Sequence, residues 1–165
     1  MVYSIAQLNA ISQDEFVEAV GFVFEDTPAI ARQAWHHRPF PTVQALHQQM
    51  VQVMQSLSPA EQLALIRAHP DLGSRIRMAE ASVQEQAGAG LDRLSASDYA
   101  RFQTLNQAYK QKFGFPFIIA VKQQSQASIL EAFEQRLLHS IDAERQQALQ
   151  EIAAIAEFRL RDCVR

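Results

Sequence analysis

Four places in the 165-residue sequence hold side chains that could do chemistry. The first is His69, which opens the run His69-Pro70-Asp71-Leu72-Gly73. An imidazole changes charge near neutral pH, so a histidine held at a rigid helix end can give and take a proton. The same run also reads as a plain helix stop, with the imidazole near the negative end of the helix dipole. The second place is Ser82-Val83-Gln84-Glu85-Gln86-Ala87-Gly88-Ala89-Gly90-Leu91. Ser82 as N-cap and Glu85 as its reciprocal partner would make a capping box, and that alone would account for both. Gln86 and Gly88 are less well explained: an amide beside a carboxylate, followed by glycines that permit close backbone approach, suits a compact polar ligand. The third is Phe113-Gly114-Phe115-Pro116-Phe117-Ile118-Ile119, either hydrophobic core or a stiff wall whose backbone amides face a small planar ligand. The fourth is Arg159 or Arg161, solvated arginines suited to a helix C-terminus or cations that neutralise a substrate carboxylate.

Other chemistries find little support. His36 and His37 are adjacent, so on a helix they point in different directions and make no metal pair. There is no His-x-x-x-His, no CxxC, no phosphate-binding glycine loop and no Gly-x-Ser-x-Gly elbow, so no metal site is expected. Cys163 is the sole cysteine, which excludes an intrachain disulfide and fits a reducing compartment. Fifteen Lys and Arg against eighteen Asp and Glu give a net charge of -3, which argues against a nucleic-acid partner. No run of about 18 apolar residues suggests a membrane span. With no leader and no Ser-Lys-Leu ending, the expected setting is the cytoplasm.

Positioning these groups falls to helices. Ala, Leu, Gln, Glu and Arg are favoured and β-branched runs are almost absent, a bias that loses little freedom in a helix. Ser58, Pro59 and Glu61 supply an N-cap, a first helical position and a capping box. The helix they start carries Leu63, Leu65 and Ile66 and stops near His69, because Pro70 disfavours helical geometry in the residue before it. After Ser95, the residues Tyr99, Phe102, Leu105, Tyr109 and Phe113 form one apolar stripe, closed by Gly114 as C-terminal cap. Ile129, Phe133 and Leu137 repeat by fours after Ser125, and a last helix from Asp142 carries Leu149, Ile152, Ile155, Ala156 and Leu160. Residues 12–24 and 42–54 read as helices, and residues 28–37 as a shorter one bearing Trp35. Residues 69–90 and 113–121 do not fit this plan; the latter could be a short strand, an extended connection or a buried turn. The expected fold is therefore all-α: a single-domain multi-helix bundle over residues 1–165, with a short irregular apolar segment near 113–121.

The three central motifs, in order and spacing over about fifty residues, resemble the OHCU decarboxylase family of urate degradation, which acts on 2-oxo-4-hydroxy-4-carboxy-5-ureidoimidazoline. The similarity covers nearly the whole chain. Leu8-Asn9 with Phe16 and the 22–25 stretch looks like the family's opening, Ala34-Trp35 with Arg38-Pro39-Phe40 like its next landmark, and Arg159-Leu160-Arg161 like its ending. Two positions beside the motifs depart: Ala29 stands where an aromatic is common, and Gln123 follows Lys122 where the family commonly has Gly.

The resemblance implies an all-helical homodimeric carboxy-lyase without a cofactor that makes (S)-allantoin. It implies that His69 is the proton donor and Glu85 its acidic partner. Substrate contacts map onto Pro70, onto Ser82, Val83, Gln84, Glu85 and Gln86, and onto Phe115, Pro116, Phe117, Ile118 and Ile119, with Arg161 as a further candidate. Two other readings remain open: a helical interaction domain whose aromatic stripe buries a partner helix, and a fold relative acting on another ureido or imidazole compound.

Overall fold

Short polar side chains start most of the helices. The computed structural model describes residues 1–74 and 80–165. Among the described residues there are nine α-helices and no β-strand, only an isolated parallel bridge between Tyr3 and Val164. The helices are α1 (Ile5–Ala10), α2 (Gln13–Val20), α3 (Ala29–Ala34), α4 (Val43–Ser56), α5 (Pro59–Arg67), α6 (Glu80–Gly88), α7 (Ala96–Phe113), α8 (Gln126–Arg136) and α9 (Ile141–Cys163). Ser4, Ser12, Thr42, Ser95 and Ser125 accept a backbone N–H as N-caps of α1, α2, α4, α7 and α8, each worth about 1 kcal/mol. At α5, the Ser58 hydroxyl accepts the Glu61 N–H at 3.1 Å while Glu61 accepts the Ser58 N–H at 3.2 Å. The all-α class expected from composition is the observed one, with differences of boundary. The 12–24 segment leaves α-geometry at Val20 (φ -131°, ψ 0°) and finishes as a 3-10 turn over Gly21–Val23. The 28–37 segment likewise finishes as a 3-10 turn, Trp35–His37. The last helix begins one residue before Asp142, after Ser140, whose hydroxyl accepts the Ala143 N–H.

The chain divides into two compact units, Met1–Leu65 with Ala153–Arg165, and Ile66–Ile152. In the first, Leu8, Phe16, Val20, Ile30, Leu46, Met50 and Leu160 are fully buried. Asn9 clasps Phe40 with both ends of its amide, and Arg38 lies over the Trp35 ring while its Nη1 donates to the Asn9 carbonyl at 2.8 Å. Glu25 and Arg159, both buried, form an ion pair at 2.9 Å. These are the landmarks at the two ends of the sequence, and here they act as internal pins.

In the second unit an aromatic core gathers around Tyr109. Its ring meets Phe113, Phe115, Phe117 and Phe133 at centroid distances of 4.5 to 6.2 Å, and Phe117 stacks on Phe133 at 3.8 Å. The 113–121 stretch leaves α7 through Gly114, whose φ of +79° is the left-handed cap geometry. It then runs as an irregular buried connection, not a strand or a helical turn, with residues 115–121 all in the core.

Candidate active site

His69 sits where α5 has just ended. Pro70 cannot continue the helix, and the His69 N–H turns back to the Ile66 carbonyl at 3.3 Å. The loop after it is held from two helices. Gln86 of α6 accepts the buried Gly73 N–H on its Oε1 at 2.9 Å and points its Nε2 at the Asp71 carbonyl at 3.4 Å. Asn106 of α7 donates to the Leu72 carbonyl at 2.9 Å, and Lys110, one turn further, pairs with the Asp71 carboxylate at 2.7 Å. Such bracing fixes the loop that follows His69 at the helix end.

Beside His69 lies a cavity of about 290 Å³, lined by Arg67, His69, Asp71, Lys110, Gly114, Phe115 and Pro116. His69 is only 8% exposed yet forms part of this wall. Arg67 donates from Nε and Nη2 to the Gly114 carbonyl, each at 3.1 Å, which ties the end of α5 to the start of the aromatic segment. Two cations against one carboxylate give the cavity a net positive rim, suited to a small anion.

Behind the aromatic segment is a buried polar network. Glu144 of α9, with its side chain fully buried, accepts Arg136 Nε at 2.8 Å and the Tyr109 hydroxyl at 2.5 Å on one oxygen, and faces His139 Nδ1 at 3.0 Å with the other. Arg136 Nη1 donates to the Ile118 carbonyl at 2.5 Å, and its guanidinium lies 4.3 Å from the Phe117 ring centre. Burial, reinforced by the hydrogen bond to Glu144, pushes the Tyr109 hydroxyl well above its usual range, so it stays a donor. Burial also raises the Glu151 carboxyl, against the pull of the Arg136 charge.

A sequence model of the OHCU decarboxylase family matches residues 9–161. The chain belongs to this family. OHCU decarboxylases are carboxy-lyases. The chain is 46% identical over 159 residues to the 2-oxo-4-hydroxy-4-carboxy-5-ureidoimidazoline decarboxylase of Halalkalicoccus jeotgali, covering 96% of this chain and 90% of that one. It is 45% identical over 157 residues to the enzyme of the same name from Haloferax volcanii, covering 95% and 94%. A solved structure, an OHCU decarboxylase in the presence of (S)-allantoin, superposes with a TM-score of 0.71 at 26% identity, covering 92% of this chain and 97% of that one.

Within this family member the three sequence motifs converge in the second unit. Gln86 bonds to the loop that follows His69 and Pro70, and Phe115 and Pro116 share the cavity with His69. Ser82, Glu85 and Gln86 lie on one face of α6, with Ser82 and Gln86 buried and Glu85 half-buried, while Val83 and Gln84 are exposed. Ser82 lies inside α6, not at its start, so the capping-box reading of Ser82 and Glu85 is corrected. Phe117, Ile118 and Ile119 are buried and are not among the residues that line the cavity. Arg161 is an exposed residue of the first unit, paired with Glu157 one helical turn earlier at 2.6 Å, and Arg159 is taken up by Glu25. Residues 75–79, inside the irregular stretch expected over 69–90, lie outside the described residues. Sequence reasoning missed Arg67, Lys110 and the network of Tyr109, Arg136 and Glu144. Asp71 was inside a quoted motif without a role. Among the described residues, no three His, Cys, Asp or Glu side chains gather to hold a metal, and no helix is long and apolar enough to cross a membrane.

Proposed function

We propose that this protein decarboxylates OHCU to (S)-allantoin without a cofactor, with His69 managing the proton, and that it works in the cytoplasm as a homodimer. One observation carries the reading: in a member of this family, a buried histidine braced at a helix end opens onto a small cavity with a cationic rim. Decarboxylation needs an electron sink, which many enzymes borrow from a cofactor. OHCU carries its own. The bond from C4 to the carboxylate breaks, and its electron pair forms the C4=C5 double bond. The C5=N π pair moves onto nitrogen, which takes up a proton. The C4 hydroxyl then gives up its proton to become the carbonyl of allantoin, and C5 gains a proton on one face.

The protein's share is orientation and proton transfer. His69 takes the C4 hydroxyl proton and delivers one to C5. Glu85 accepts hydrogen bonds from ring or ureido N–H groups, and Gln86 and Ser82 hold the α6 side of the site. Pro70, Phe115 and Pro116 form the walls, backbone groups of Phe117 to Ile119 hold the planar ring, and the aromatic side excludes water. A less hydrated carboxylate lies higher relative to the neutral carbon dioxide it becomes. The test is the rate at which OHCU, generated in place from urate, disappears from its ultraviolet absorbance. The protein is expected to accelerate that loss in proportion to its concentration; an unchanged rate would overturn the reading.

A further inference from the structure

The buried Arg136–Glu144 pair of the second unit is not among the residues that line the cavity. Arg136 is 6% exposed and Glu144 fully buried. Replacing such a pair with apolar residues often leaves stability unchanged or improved, so stability is a weak reason for it. Among the described residues the buried Arg136 Nη2 group finds no hydrogen-bond acceptor, a further cost that a purely stabilising pair would avoid. What the guanidinium does grip is backbone: Nη1 holds the Ile118 carbonyl, and the plane lies over Phe117. The peptide after Ile118 is trans, so its carbonyl and the Ile119 N–H point in opposite directions. Fixing that carbonyl on Arg136 therefore aims the Ile119 N–H to the other side of the segment.

We propose that Arg136, oriented by Glu144 and Tyr109, is a positioning residue that sets the backbone of the 115–119 segment in the register substrate binding needs. The inference rests on the reading above, in which that segment holds the substrate. Glu144 is shaped for this task. One oxygen takes both Arg136 Nε and the Tyr109 hydroxyl, so the carboxylate that orients Arg136 is itself anchored to α7.

The test compares wild type with Arg136→Met/Glu144→Gln, which removes both charges together and leaves no buried ion unpaired, and with Arg136→Lys, which keeps the charge but not the fork. The double variant is expected to fold, to show a KM for OHCU raised about tenfold or more, and to yield allantoin of lower optical purity, in line with what an ångström of misplacement costs. Arg136→Lys is expected to show the same two changes more weakly with an unchanged melting temperature. A folded double variant with wild-type KM and optical purity overturns the proposal. If the double variant does not fold, wild-type KM and optical purity in Arg136→Lys overturns it instead. Wild type that fails to turn over OHCU at all refutes the functional reading, a result distinct from either.

Discussion

At the scale of single residues, the proposed proton donor His69 is followed directly by a loop to which its neighbours are committed. Gln86, Asn106 and Lys110 all spend their polar groups on the loop from Asp71 to Gly73. His69→Ala is expected to fold and to lower kcat/KM for OHCU by about 10²-fold or more, the usual scale for one acid–base group; unchanged turnover in a folded variant would remove His69 from the mechanism. Cys163 has the opposite character. Burial, with Asp162 beside it, pushes its thiol up to about 11, so hardly any thiolate exists at pH 8. It is expected to react with a disulfide reagent about a hundredfold more slowly than a free thiol. Rapid modification accompanied by loss of activity would contradict that. The histidine was legible in the sequence because a helix stop and a proline flank it. Lys110 was not: its role depends on α7 lying beside the loop, which no local spacing encodes.

At the scale of elements, two turns share one geometry with different residues. Gly114 ends α7 at φ +79°, and a Cβ there would come no closer than 3.9 Å to Arg67 Nη2. Gly114→Ala is therefore a conformational loss with no clash, expected at about 1–2 kcal/mol. Gln123 takes φ +68° without being glycine. Gln123→Gly is expected to be neutral or to gain up to about 1 kcal/mol, as relief of left-handed strain is partly offset by the freedom glycine regains on unfolding. Denaturant midpoints of the two variants check both signs; a destabilised Gln123→Gly would contradict the account. Caps and stripes made most helices legible, since Ser58 with Glu61, or Ser95 with the 99–113 stripe, are local signals. The 3-10 endings after Val20 and Ala34 were not, because tertiary packing sets where a helix tightens. The capping-box reading of Ser82 failed for a similar reason: the pattern is local, but the helix starts earlier.

At the scale of the whole molecule, the buried charges set how stability responds to pH. Glu151 is held above the usual carboxylate value of 4.5, chiefly by desolvation. The folded state then binds its proton more tightly than the unfolded state, so this group contributes stability in acid that is lost as pH rises past 4.5 and through the raised value. Glu151→Gln is expected to melt higher than wild type at pH 8, with the gap closing at pH 4; parallel melting curves at the two pH values would contradict this. The Arg136–Glu144 pair was illegible in the sequence, because Glu144 reads there as a first-turn acid at a helix start and Arg136 as a last-turn base. Only the turn between α8 and α9 brings them together. The most direct measurement for the central claim is the circular dichroism of the product. OHCU made in place from urate decays unaided to racemic allantoin, so wild-type protein should give a faster, growing (S)-allantoin signal, and His69→Ala should give almost none. A racemic product formed at the uncatalysed rate in the presence of the wild-type protein would contradict the account.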